Sequence, residues 1–219
     1  MAQSAIEAGA SIFEGVHISR IDLDNHLALE YEGGTIRADW IVVAVNAWIR
    51  SLVPEVPIAS SLTFACATEP LDEGVIAELG LARGSPFYTV DLPYLWGRIT
   101  GDRRAIFGSG LVFGAPPALE DTGPCTRSFA EAIHDLESRV ATMHPALADV
   151  ALAHAWAGPI AFTRNQLPIL SPIPAMTRVL VAGAYSGHGI AMSVRAGELL
   201  ALTIAKDVAL PEWGALSTH

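Results

Sequence analysis

The sequence predicts an α/β fold of mixed α+β character, and three observations carry that expectation. The run Arg178-Val-Leu-Val-Ala-Gly183 reads as a buried strand that passes through a turn, Ala184-Tyr-Ser-Gly187-His-Gly189, into a helix of small residues from Ile190 to Ala201. A second continuous apolar run, Trp40 to Val45, reads as a strand covered on both faces, as strands of parallel sheets are. Between these runs the chain alternates short strands with turns around one amphipathic helix, the pattern of an antiparallel sheet with flanking helices.

The elements follow in order. Met1 to Ala10 is a short helical stretch, and strands are expected at Ile12-Phe13, Val16 to Ile21 and His26 to Tyr31, punctuated by turns at Asp24-Asn25 and Gly33-Gly34. Trp40 to Val45 closes this first section. From about Pro57 the strands expected are Leu62 to Thr68, Pro86 to Val90, Tyr94 to Ile99 and Arg104 to Gly110, with a turn at Gly101-Asp102. A helix from Ser128 to Met143 places Ile133, Leu136 and Val140 on one stripe. From Ala155 the chain returns to a strand, a loop, a strand and the glycine-turn helix. The division predicts residues 1–56 and 155–219 as one domain, interrupted by residues 57–154.

Composition narrows the partners. The formal net charge of −10 opposes binding to a polyanion, so no nucleic-acid partner is expected. Hydrophobic residues make up 51% and charged residues 16%, with a mean hydropathy of +0.39. Either an ordinary buried core or faces meant to meet further polypeptide would write such a sequence. No window is long and apolar enough to span a bilayer, because the run Val179 to Ala184 is soon cut by Gly187, His188 and Arg195. Cys66 and Cys125 show neither ligand spacing nor a disulfide framework, and His17, His26, His134, His144, His154 and His219 do not cluster. No metal site is expected, and a reduced cytoplasmic compartment fits.

The glycine turn carries the chemistry. Bare amides at the head of a helix favour an anion or a polarised carbonyl, and glycines let a flat ligand approach the backbone. Ser186 in a strand-turn-helix raises the nucleophile elbow of a hydrolase, but His188 occupies a position that the elbow keeps small. The glycine pattern Gly108-Ser-Gly110-Leu-Val-Phe-Gly114 runs into Ala115-Pro116-Pro117 and cannot open a helix.

Three segments stand in register: Ile41-Val-Val-Ala-Val-Asn-Ala-Trp48, Trp156-Ala-Gly158-Pro-Ile-Ala-Phe-Thr163-Arg-Asn165-Gln-Leu-Pro168-Ile, and Gly183 to Gly189. Together they resemble the FAD-dependent amine and amino-acid oxidases, the family of D-amino-acid oxidase, glycine oxidase and monomeric sarcosine oxidase. The resemblance implies the later part of an FAD-binding domain interrupted by an antiparallel substrate domain. It implies FAD as cofactor and oxidation of an amine or amino acid to an imine. It assigns cofactor contacts to Asn46, Ala47, Trp48, Gly158, Gly183, Tyr185, Ser186, Gly187, His188, Gly189, Ile190 and Ala191. Ile18 stands where the family often has a valine whose backbone meets the adenine. In such chemistry the flavin performs the difficult step, so no catalytic residue is assigned.

The sequence departs from the family at Asn165, usually Asp, at Ser171, usually Gly, and at Val45, often Thr. The family's Gly-x-Gly-x-x-Gly loop, which holds the pyrophosphate, does not open this sequence. FAD binding by this chain alone is therefore expected to be weak or absent. The alternative expectation is a non-catalytic truncated homologue or binding module that works with a separate chain supplying the missing part.

Substrate candidates lie in the central section. Tyr94, Trp96 and Arg98 alternate along one strand and share a face, and Tyr88 lies across the Asp91-Leu-Pro93 loop from them. Arginine suits a carboxylate because its fork binds both oxygens, which makes Arg98 and Arg164 the candidates. Ordinary strand packing accounts for the aromatics as well, and a solvated edge or an ion pair for Arg98. If the turns after Val45 and Gly183 share a ligand, their strands lie in one sheet with Asn46 and Gly187 near each other.

Overall fold

A computed structural model describes residues 1–23, 27–82, 84–90, 94–109 and 127–216. The Asp24-Asn25 turn, His26, the Asp91-Leu-Pro93 loop, the pattern from Gly110 to Gly114, Cys125 and His219 lie outside the described residues. The chain forms two compact units, one of Met1–Pro57 with Asn165–His219 and one of Ile58–Arg164.

The first unit opens with helix α1 (Ala2–Glu7), all of whose residues are exposed. An antiparallel sheet follows in the order β1 (Ile18–Asp22), β2 (Ala28–Tyr31), β3 (Gly34–Arg37). Ile12 and Phe13 form no strand, contrary to expectation. They stand 47% and 77% exposed, and a strand without a partner leaves its backbone groups to water.

The second sheet of this unit has the order β10 (Ile169–Ile173), β11 (Met176–Gly183), β4 (Ile41–Val43). β11 runs antiparallel to β10 and parallel to β4, with Val179 opposite Ile41 and Val181 opposite Val43. As the central strand it is buried from Val179 to Gly183, which its continuous apolar run requires. β4 departs from the sequence reading. It is an edge strand in which Ile41 and Val43 point into the core while Val42 is 39% exposed. After it come the short helix α2 (Ile49–Leu52) and, past β11, helix α5 (Gly189–Lys206), whose Ala196 and Leu200 pack on Leu170, Leu180 and Ala182.

The second unit is built on strand β5 (Ala59–Pro70), followed by helix α3 (Glu73–Glu78) and strands β6 (Phe87–Tyr88), β7 (Leu95–Ile99) and β8 (Arg104–Ser109). Helix α4 (Arg127–Met143) and strand β9 (Leu152–Phe162) complete it. The five strands form an antiparallel sheet in the order β6-β7-β8-β5-β9. Ala155 does not begin a return to the first unit. β9 pairs with β5 from Ala59 opposite Phe162 to Thr68 opposite Leu152, and this ladder keeps it in the central unit, which ends at Arg164.

Leu136 and Val140 of α4 pack on one sheet face against Leu62, Phe64, Cys66, Leu95 and Phe107, and the rings of Phe64 and Phe129 meet edge to face at 5.9 Å. Ile133 lies at the margin of this core. Thr68, fully buried, is satisfied twice: its hydroxyl donates to the Glu69 carbonyl at 2.6 Å and accepts from the Ala105 N–H at 3.0 Å. No helix among the described residues is long and apolar enough to cross a membrane.

Two outcomes follow from this core. Leu136→Ala, at a fully buried site, should cost about 2–5 kcal/mol in urea unfolding, because the removed methyls leave a cavity between helix and sheet that the packed core fills only in part. Burial pushes the Cys66 thiol from its ordinary 9.0 up to about 11. Between those values the unfolded chain binds fewer protons than the folded one, so stability is intact below pH 9 and falls as pH rises to 11. Urea midpoints across that window should decline, and Cys66→Ala should remove this contribution to the slope.

Candidate functional site

Because β4 and β11 are parallel, the turns that follow them leave from the same end of the sheet, the end at which ligands bind in open α/β sheets. A single helical turn, Asn46–Trp48, follows β4. Asn46 Oδ1 accepts a hydrogen bond from the Ala184 N–H at 3.0 Å, so Asn46 meets the Gly187 turn at its first residue. Gly183 makes the approach possible. A Cβ there would stand 2.5 Å from Ile49 Cδ1 and 3.3 Å from Asn46 Cα, so a larger residue would force the Ile49 side chain and the Asn46 turn to shift.

Both turns hold non-glycine residues in the left-handed region: Asn46 at φ 46°, Ala184 at 54° and Ser186 at 50°, with Gly187 at 91°. For Asn this is accessible; for Ala and Ser it costs about 1–2 kcal/mol each. The strain turns the chain sharply out of β11 and into α5. The His188 N–H donates to the Tyr185 carbonyl at 2.8 Å, and the Met192 N–H to the His188 carbonyl at 3.1 Å. The amides of Gly189, Ile190 and Ala191 therefore come before the first i to i−4 bond of α5, and the His188 side chain does not cap them. Ile190 is 97% exposed at this end of the helix. Tyr185, beside Gly189, is half-buried, and desolvation raises its phenol pKa. Its hydroxyl keeps its proton at neutral pH.

A cavity of about 400 Å³ brings Ile18 together with Trp48, and His17, Val42 and Val45 share its wall. Ala47 is buried in the core of the turn and does not line it. A second cavity of about 250 Å³ lies between Ile169, Tyr185, Ala191, Met192, Arg195 and Trp213. Sequence reasoning missed His17, Val42 and Val45 at the first cavity and Met192, Arg195 and Trp213 at the second. Ala191 and Arg195 stand four apart on α5, a spacing that could have marked them as neighbours.

In the central unit Tyr94, Trp96 and Arg98 share one face, while Leu95 and Ile99 enter the core. Tyr88 and Tyr94 meet edge to face at 6.4 Å. One row crosses all five strands: Tyr88, Trp96, Gly108, Ala65, Trp156. The Trp96 indole lies over Gly108, where a Cβ would collide with it. Arg98 is exposed in the neighbouring row opposite Ile106 and has no ion-pair partner among the described residues. Gly158, opposite Thr63, and the exposed Arg164 also belong to this unit, apart from the other cofactor candidates. Of the departures, Asn165 Oδ1 accepts the Leu167 N–H at 3.1 Å, and Ser171 sits buried in the β10 ladder opposite Val181.

The family model described as FAD dependent oxidoreductase matches residues 1–202. The chain is 29% identical over 217 residues to a probable oxidoreductase OrdL of Rhizobium meliloti (strain 1021), a match that covers 96% of this chain and 46% of the relative. It is 24% identical over 204 residues to the gamma-glutamylputrescine oxidoreductase of Escherichia coli (strain K12), covering 91% and 44%. The chain spans about half the length of the curated relatives it matches. Among solved structures, the L-proline dehydrogenase from P. horikoshii superposes with a TM-score of 0.80 at 24% identity, over 98% of this chain and 56% of that one. A glycine oxidase from Geobacillus kaustophilus superposes at 0.78 with 20% identity, over 100% and 56%. These likenesses show a shared fold.

The strained turn can be probed without a ligand. Ser186→Gly should raise the unfolding free energy by about 0.5–1 kcal/mol, the relief of the left-handed backbone less the added freedom of the unfolded chain. Ser186→Val should lower it by about 1–2 kcal/mol, since a β-branched residue resists positive φ. Equal stabilities in urea would mean that the turn is not held in this conformation.

Proposed function

The chain belongs to the FAD dependent oxidoreductase family, and on that premise we propose that it carries the ring-facing part of an enzyme that oxidises the C–N bond of an amine or amino acid. The observation that supports this reading is the meeting of the Asn46 and Gly187 turns at the uncapped head of α5. In this reading Gly183, Tyr185, Ser186, Gly187, His188, Gly189, Ile190 and Ala191 form one wall of a flavin site. Asn46 and Trp48 form the other, with Ala47 buried between them in the turn, and Ile18 faces the adenine end across the cavity it shares with Trp48. Gly158 is assigned a contact by resemblance alone.

The residues present fit such a group. Gly187 supplies a backbone angle that frees the space above the turn, and a Cβ at Gly189 would touch only the Tyr185 ring, at 3.6 Å. A flat ring can thus reach the amides. The helix-head amides of Gly189, Ile190 and Ala191 favour negative charge placed against them, and the protonated Tyr185 hydroxyl can donate. FAD, when bound, would take hydride from the carbon that bears the amine. Tyr88, Tyr94 and Trp96 offer an aromatic surface to the substrate, and the guanidinium of Arg98 or Arg164 offers a fork to its carboxylate.

A second reading has a specific observation behind it. Val42, Val45 and Trp48 are 39%, 39% and 48% exposed on β4 and the turn that follows it, an apolar surface that suits a module completed by another polypeptide. The two readings share one assay. Titrated with FAD, the full chain should perturb the visible flavin band weakly but saturably, because no Gly-x-Gly-x-x-Gly turn in this sequence opens a helix. Gly189→Val, placed at a helical backbone angle, should weaken that binding about tenfold with an unchanged melt. A perturbation that Gly189→Val leaves intact contradicts the proposed site. A supplied Gly-x-Gly-x-x-Gly domain that restores yellow colour and amine-dependent peroxide would support the first reading, and one that binds the chain without restoring either would select the second.

A further inference from the structure

The Ala184 N–H poses a problem that the fold must solve. Ala184 is fully buried at the end of β11, so its N–H has no water to turn to and needs an acceptor within the protein. The acceptor is Asn46 Oδ1, 138 residues away in sequence. The other hydrogen bonds of the turn among the described residues are internal: His188 N–H to the Tyr185 carbonyl, and Ser186 Oγ, at 3.5 Å, toward the Ala184 carbonyl. The Asn46 carboxamide ties the turn to a second element. From Ala184 onward the chain passes through Ser186 and Gly187, both at positive φ, directly into α5.

We infer that Asn46 is a positioning residue, whose side chain fixes the direction of the Ala184 amide and through it the orientation of the amides of Gly187, His188 and Gly189 to Ala191. The inference rests on the flavin-site reading for its functional meaning and on the Asn46–Ala184 bond for its geometry. The residue type follows from two demands met at one position. Asn tolerates the left-handed φ of 46°, and it carries an oxygen short enough to meet an amide across the sheet edge. Glycine meets the first demand alone. Aspartate meets both, apart from its charge.

The test uses the full chain, labelled with ¹⁵N, with Asn46→Gly and Asn46→Asp. Asn46→Gly keeps the backbone angle accessible and removes only the acceptor. It should accelerate hydrogen exchange of the Ala184 amide about tenfold or more and shift the resonances of Gly187 to Ala191. Amides inside the β10–β11 ladder, such as that of Ala182 opposite Leu170, should be unchanged, and Asn46→Asp should restore the slow exchange. Unchanged exchange at Ala184 in Asn46→Gly overturns the inference. So does equal acceleration along the whole ladder, which marks a merely structural role. FAD titration of the chain beside its Gly189→Val variant separates the two layers: binding that Gly189→Val leaves intact removes the flavin reading, while the exchange pattern still decides the role of Asn46 in setting the turn.

Discussion

The parallel pairing of β4 with β11 is the constraint on which the candidate site depends. It joins two segments that flank the whole of the inserted unit, and it sets which residues of each turn can meet. The register is specific. A slip of one residue would turn Ile41 and Val43 outward, bury Val42 in their place, and carry Asn46 away from the Ala184 amide. Closing so long a loop costs little more than closing a short one, because the entropic cost grows only with the logarithm of length. The insert also has a sheet and core of its own, so it can bridge the two segments as a folded body.

The two units divide the physical work. The first holds backbone groups in unusual conformations, and the strain of Ala184 and Ser186 is sustained by a central strand buried from Val179 to Gly183 and by α5 packed across it. The second is an ordinary sheet-and-helix core on one side. Its other side presents large aromatics beside Gly108 and Ala65, with an arginine in the adjoining row. Backbone amides and an aromatic sheet face, with few acid-base residues, suit a family whose cofactor carries the difficult chemistry.

Some of this was legible in the sequence, and the reasons are local. The passage from β11 through the turn into α5 could be read because an unbroken apolar run, a glycine cluster and a small-residue helix stand next to one another. The central helix and its stripe at Leu136 and Val140 were equally plain, as was the alternation of Tyr94, Trp96 and Arg98. The open face of β4 was hidden because Ile41 to Val45 contains no polar residue to mark the outward positions. β9 was misplaced for a related reason. Ala153, Ala155, Ala157 and Gly158 give no sign of which section they pair with, and only the ladder to β5 decides it. Left-handed angles at Ala184 and Ser186 could not be anticipated, since those residue types do not announce them. The Asn46–Ala184 bond was beyond reach for the same cause: resemblance brought both turns to one ligand, but no pattern says which side chain meets which amide.

We propose that the turns after β4 and β11 form one ligand-facing surface. The most direct measurement is a map of ¹⁵N chemical-shift changes as FAD is added to the chain. The account expects the largest changes together at Ile18, at Asn46 to Trp48 and at Tyr185 to Ala191, with the interior of the β10–β11 ladder little affected. Changes confined to the cavity walled by Ile169, Arg195 and Trp213, or to only one of the two turns, would contradict it.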